Sequence, residues 1–207
     1  MALNANVWSS VSDLKVYLGI TVSTFDTVLE DLLNQSADAI ERFLGRDVKD
    51  LGSDITEFHD GDDGTNKDTL YLRNFPVNAL TSVSFRTGAI GSPTFVAFNA
   101  NDFVRDDETG TFFFGTGFRG LGGQLPDGRQ NIRVIYQGGY TSGNVPNDLV
   151  LALNKMASAQ FTQRKSQGID TEKVGSISVK WSSAIGSSLL ASGGDVAQLL
   201  IPYKRFF

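Results

Sequence analysis

At 207 residues with a formal net charge of −5, the chain is long enough for one large domain or two small ones and carries no overall attraction for phosphate or an anionic membrane. Its lack of cysteine excludes a thiol nucleophile, a thiolate metal centre and a disulfide framework, and its single histidine leaves nothing to spare for a Ser-His-Asp relay or a two-His metal site. Fifteen Phe beside twenty-two Gly point to strands joined by turns and bulges, so a β-rich middle is expected.

The first residues, MALNANVWSSVSDLK, lack the basic-then-apolar order of a signal peptide, and no run of about eighteen apolar residues follows to span a bilayer; a soluble, unprocessed chain is expected. SSVSDLKVYLG predicts a short helix. Ser10 and Asp13 make a short form of the capping box, Val11, Leu14 and Leu18 share a face, and Gly19 stops it. STFDTVLEDLLNQSADAIERFLGRDV repeats this grammar at greater length, with Ser23 and Asp26 at the start and Gly45 past the end. Phe25, Val28, Leu29, Leu32, Leu33, Ile40, Phe43 and Leu44 recur in steps of three and four and give an apolar face that needs a partner.

From about Asp54 to Tyr140 the period changes. TLYLRNFPV, LTSVSFRTG, PTFVAFNA, DFVRDDETGTFFFGTG and NIRVIYQGG are short alternating or aromatic runs cut by Gly, Pro and Asn-Asp clusters, which predicts about five to seven antiparallel strands. VIYQGGYTSGNVPNDLVLALNKMASAQFTQRK then carries the chain from strand to helix. Gly138 and Gly139 let the backbone turn, and Pro146 fixes φ in the first helical turn. Leu149, Val150, Leu153, Met156, Ala157 and Phe161 line the apolar face, with Arg164 and Lys165 at the carboxyl end. Helices that flank a sheet region in sequence bury their faces by meeting each other. Beyond Gln167, KVGSISVKW reads as an edge strand, SSAIGSSLLASGG as a loose Ser/Gly stretch and DVAQLLIPYKRFF as an apolar end.

The expected class is therefore α+β: a bundle of three to four helices interrupted by an antiparallel β domain and followed by an extended C-terminal arm. The boundaries are 1–50 for the first helices, 51–143 for the inserted sheet domain, 144–168 for the long return helix and 169–207 for the arm.

Reactive constellations are hard to build from these residues. GTGFRG, Gly115 to Gly120, matches a dinucleotide fingerprint literally, but LGGQLPDG follows where a helix must begin, so it reads as a loop. HDGDDGTNKD gathers Asp60, Asp62, Asp63 and Asp68, yet counting from Asp60 puts Thr65 where an EF-hand needs its turn glycine and Tyr71 where it needs its bidentate Glu. A solvated acidic hairpin loop is the plainer reading, and His59 beside Asp60 reads as a surface residue. Acidic residues show no spacing that singles out a catalytic pair. Arg164–Lys165 and Lys204–Arg205 are too few for a nucleic-acid groove. Phe112 to Phe114 read as core packing, with a ligand platform as the alternative. No enzyme, metal or cofactor is expected.

The order of these features resembles the head-tail connector, or adaptor, proteins of long-tailed bacteriophages and prophages. The resemblance rests on SDLKVYLGI, ADAIERFLGRDV, EFHDG, LYLRNFPVNALTSV with its Phe75-Pro76-Val77, and above all on IRVIYQGGYTSGNVPNDLVLALNKMASAQFTQRK, and runs from about Val11 to Gln167. It implies a structural virion protein without catalysis, a ring commonly of twelve subunits beneath the portal, stopper or other tail-side neck proteins as further partners, and DNA passing through the channel without sequence recognition. It also implies that the C-terminal segment docks the portal, with Leu199, Leu200, Ile201, Tyr203, Phe206 and Phe207 as anchors; the alternative is that this end folds back on its own helices. A rival function is a β-rich glycan- or calcium-binding module mounted on helices, and a neighbouring one is a stopper or tail-completion protein.

Overall fold

The structure is a computed structural model that describes residues 2–61, 68–88, 91–114, 125–126, 128–164, 171–174, 177–180, 190 and 194–205. The chain divides into two compact units, Met1–Arg46 with Ser142–Phe207, and Asp47–Thr141. Helices make up most of the first and antiparallel strands the second, so the α+β class holds.

In the helical unit, α1 (Val11–Leu18) begins on the expected capping box: Ser10 Oγ accepts from Asp13 N at 3.1 Å and Asp13 Oδ2 accepts from Ser10 N at 3.3 Å. Helix α2 (Asp26–Leu44) starts differently from the sequence expectation. Phe25 occupies the N-cap with no side-chain hydrogen bond, and Asp26 meets Lys15 Nζ at 2.9 Å. An ion pair to the neighbouring helix, reinforced by the positive end of α2, takes the place of a cap. Leu29, Leu33, Ala37, Ile40 and Leu44 form the buried stripe of α2, whereas Val28 is turned outward.

Helix α3 (Asn147–Gln163) follows Pro146, which stands at the N-cap rather than inside the first turn. Its buried stripe of Leu149, Ala152, Leu153, Met156, Ala157 and Phe161 packs on α2, so the two long amphipathic helices cover each other. Two polar groups buried in this unit are matched: Trp8 Nε1 donates to Leu149 O at 3.0 Å, and Ser9 Oγ donates to Asn154 Oδ1 at 2.8 Å. At the end of α3 the Arg164 guanidinium lies 3.5 Å over Phe161 and 4.8 Å over Phe25, two rings in edge contact at 5.5 Å. Strands β8 (Thr171–Val174) and β9 (Ile177–Lys180) pair with each other as an antiparallel hairpin.

The extended arm expected for the C-terminus is corrected at its end. Residues Asp195–Leu200 form a helix, α4, which packs on α3 with Val196, Ala197 and Leu200 buried, and a 3-10 turn continues through Ile201–Tyr203. Lys204 Nζ then sits 4.5 Å over the Phe43 ring. Six residues are too few to hold a helix alone. Burial of three apolar side chains on α3 supplies the stabilisation, about 1.5–3 kcal/mol for a large side chain such as Leu200.

Among its described residues the sheet unit holds seven strands: β1 (Ile55–His59), β2 (Thr69–Tyr71), β3 (Val77–Arg86), β4 (Phe95–Ala97), β5 (Val104–Asp106), β6 (Thr111–Phe113) and β7 (Ile132–Gly138). They form a four-stranded sheet in the order β1-β7-β3-β4 and a three-stranded sheet in the order β2-β6-β5, every pairing antiparallel. The two sheets share one core. Val83, Ile132, Val134 and Tyr136 from the first meet Leu70, Leu72, Phe112 and Phe114 from the second. Strict alternation along β7 buries Ile132, Val134, Tyr136 and Gly138 and leaves Arg133, Ile135 and Gln137 on the other side. Phe98, Phe103, Phe112 and Phe114 form a linked aromatic group, with ring centroids 5.1 to 5.5 Å apart.

Candidate functional site

The polar groups of the sheet unit converge on one joint, built from the segments that look least ordinary in the sequence. Tyr136 points into the core from β7, and its Oη donates to Glu57 Oε1 at 2.6 Å while accepting from Asn74 N at 3.0 Å. The other oxygen of Glu57 accepts from Arg73 N at 3.1 Å and faces His59 Nε2 at 3.1 Å. Asn74 also bridges away from this pair: its Nδ2 donates to Asp47 Oδ2 at 2.8 Å, and its Oδ1 accepts from Asp47 N at 3.0 Å. The next peptide bond, Phe75–Pro76, is cis, and Pro76 O accepts from Gly139 N at 2.9 Å. A β-carbon on Gly138 would stand 2.7 Å from both Asn74 O and the Tyr136 ring, so the bare backbone there is a packing requirement.

The electrostatics of this joint are those of a fixed contact. Burial by itself would raise the Glu57 carboxyl, but hydrogen bonds from His59, Tyr136 and Arg73 N outweigh it and hold the group below its ordinary value. Burial, then the charge of Glu57 and its hydrogen bond, push the Tyr136 phenol far above its ordinary value. The two pKa values are driven apart, so the proton stays on Tyr136.

The remaining sequence candidates fall into place individually. Phe112 and Phe114 are buried and Phe113 is outward, so the aromatic run packs the core and offers no platform of three rings. Asp60 is engaged in a turn, accepting from Gln130 N at 2.7 Å; residues 62–67, which hold the rest of the acidic loop apart from Asp68, lie outside the described residues, as does GTGFRG. Among the described residues no group of three or more His, Asp or Glu side chains converges on a metal position, and no helix is long and apolar enough to cross a membrane. Of the docking candidates, Leu200 is fully buried in its own unit and is withdrawn from any partner surface. Ile201 is 51% exposed, Leu199 and Tyr203 are half-buried, and Phe206 and Phe207 lie outside the described residues.

Leu200 therefore tests the C-terminal packing. Leu200→Ala should destabilise the helical unit by about 2–5 kcal/mol through the cavity left against α3, whereas Ile201→Ala should fall within about 0.5 kcal/mol of the parent; urea denaturation followed by circular dichroism distinguishes the two.

Each unit has its own buried apolar side chains, and the polar joint of the sheet unit is a hydrogen-bonded contact. The sequence matches the model of the head completion protein family over residues 9–171, and the chain belongs to that family. Its members are head completion proteins, structural parts rather than enzymes. The fold is similar to that of solved chains from gene transfer agent particles. One is from the neck of an empty particle computed with C6 symmetry, at TM-score 0.55 and 17% identity. A second is from the virion of the native particle, at 0.57 and 17%. A third is from the neck of the native particle computed with C12 symmetry, at 0.54 and 16%. In each case all of this chain is covered, with 94%, 94% and 93% of the other chain respectively. No curated protein sequence matches the chain.

Proposed function

We propose that the chain is a head-tail adaptor: twelve copies close into a ring between the portal and the tail-side stopper, around the channel through which DNA leaves the head. The observation that carries this reading is the family match over residues 9–171 together with full-length similarity to a chain from a neck computed with C12 symmetry. The sequence divisions at 51–143 and 144–168 serve this role as a sheet module carried by helices. Before incorporation the subunit resides in the host cytoplasm. DNA passes without sequence recognition, consistent with a net charge of −5 that gives the chain no overall hold on phosphate.

Portal docking falls to the C-terminal segment from the last turn of α4 onward, where Leu199, Ile201 and Tyr203 retain exposed surface and Leu200 does not. Electron microscopy of the intact particle tests the placement. The expected result is twelve-fold density for this chain directly below the portal, and its location on the capsid faces or the distal tail would refute it. The docking detail is tested by Ile201→Asp, which should leave thermal unfolding unchanged while lowering capture by purified portal protein at least about tenfold.

A further inference from the structure

A closed ring needs two different surfaces on each subunit that fit one another. The sheet unit has such a pair. Because both sheets turn their inner faces to one core, strand alternation sends the remaining side chains outward on opposite sides.

On the four-stranded sheet, Phe58, Arg133 and Ser84 stand in one cross-strand row. The Arg133 guanidinium lies 4.1 Å over the Phe95 ring, Phe95 is 6.1 Å from the half-exposed Phe58, and Arg86 pairs with Phe95 in the adjoining row. Arg133 Nε donates to Ser84 Oγ at 3.3 Å, and among the described residues neither Arg133 nor Arg86 is ion-paired with a carboxylate. Around Arg133 and Arg86 this face is aromatic and positive on a chain whose balance is negative, while Asp54, bonded to Gln137 and Thr81, stands at its other end.

On the three-stranded sheet, Thr69, Phe113 and Val104 form the corresponding outward row, with Phe113 46% and Val104 67% exposed. The β5–β6 turn supplies its rim. Asp107 is held by Arg105 at 3.2 Å, while Asp106 and Glu108 are exposed. Thr109 Oγ1 donates to Asp106 at 2.7 Å, and this hydrogen bond holds the carboxyl below its ordinary pKa. The second face is apolar and rimmed by negative charge.

We propose that these two faces bind each other between neighbouring copies of the chain, the Phe58–Arg133–Phe95 face of one subunit receiving the Val104–Phe113 face of the next, with Arg133 and Arg86 opposite Asp106 and Glu108. The inference rests on the ring reading and deepens it by naming the contact. Aromatic rings and arginine at the centre supply most of the affinity, and the opposed charges set orientation and suppress contact between identical faces.

Single-face variants of the full chain test this in solution. Arg133→Glu disables the first face and Val104→Asp the second, and circular dichroism confirms that both remain folded. Mass photometry and light scattering should show wild-type chains forming oligomers, and each variant alone weakened in self-association at least about tenfold. An equimolar mixture of the two should form dimers and nothing larger, because each variant keeps one working face. Oligomers from either variant that match the wild type would overturn the contact and leave the ring reading standing. If those variants instead lost incorporation into particles, the faces would belong to another virion protein, which also overturns the proposal. A wild-type chain that self-associates neither in solution nor in assembled necks would overturn the ring and the contact together.

Discussion

Gly139→Ala should destabilise the sheet unit by about 2–6 kcal/mol, summing a backbone strain of about 1–3 kcal/mol and an overpacking cost of about 1–3 kcal/mol. Gly139 sits at φ +116°, and an added β-carbon would stand 2.8 Å from Asp50 N, 2.9 Å from the Lys49 carbonyl carbon and 3.1 Å from Val48 O. All three are backbone atoms engaged where the two ends of the unit meet, so no side chain can swing aside. Gly52, in the same unit, is the internal control. It has φ +68° but open space around its β-carbon position, so Gly52→Ala should show backbone strain alone. Urea denaturation with hydrogen exchange at the β7 amides measures both. Equal losses for the two variants would show that packing at Gly139 contributes nothing.

The second large effect belongs to Tyr136→Phe. Removing the hydroxyl leaves Glu57 and Asn74 N each short of a partner inside the unit, at about 1–3 kcal/mol for each orphaned group. Glu57→Gln alone should also destabilise, and the double variant should lose less than the sum, because one network is broken twice. The pH dependence has a definite sign. Glu57 is held below its ordinary 4.5, so its contribution is present above that value and disappears as pH falls through the lower folded-state pKa. Tyr136 is raised above its ordinary 10.0, so its contribution is present below that value and is lost as pH climbs toward the folded-state pKa. Stability curves for Glu57→Gln should therefore be flatter on the acid side, and those for Tyr136→Phe flatter on the alkaline side. A wild-type curve that superimposes on both would eliminate the network as a source of stability.

Local grammar was readable wherever a few adjacent residues decide the outcome. Ser10 with Asp13, Gly19 and Gly45 mark helix ends through hydrogen bonds that span three to five residues, and the apolar steps of α2 and α3 announce the faces that meet. The change to a strand period after Asp54 was equally plain. The joint was not, because its partners are far apart in the chain: Glu57 and Tyr136 are separated by 79 positions, and Asn74 and Tyr136 by 62. Nothing in EFHDG or VIYQGGY alone says that a phenol will donate to a carboxylate at the edge of a core. The division of seven strands into two sheets was hidden for the same reason, since pairing β1 with β7 is a tertiary choice. Helix α4 escaped because six residues show no period, and its fate is decided by the groove that α3 offers. The resemblance to phage connectors succeeded where spacing rules fell short, since the recurring order of motifs reflects those distant contacts indirectly.

The two ends of the sheet unit are fastened to each other: Tyr140 N donates to Val48 O at 2.8 Å, and Asp50 N donates to Tyr140 O at 3.0 Å. A module whose first and last residues lie side by side can be lengthened, exchanged or shed without forcing the chain outside it to travel, and closing a longer loop across such a gap costs only about 0.6 kcal/mol for each doubling of its length. That arrangement makes the middle of this protein a cassette that can be exchanged while the helical unit keeps its own fold.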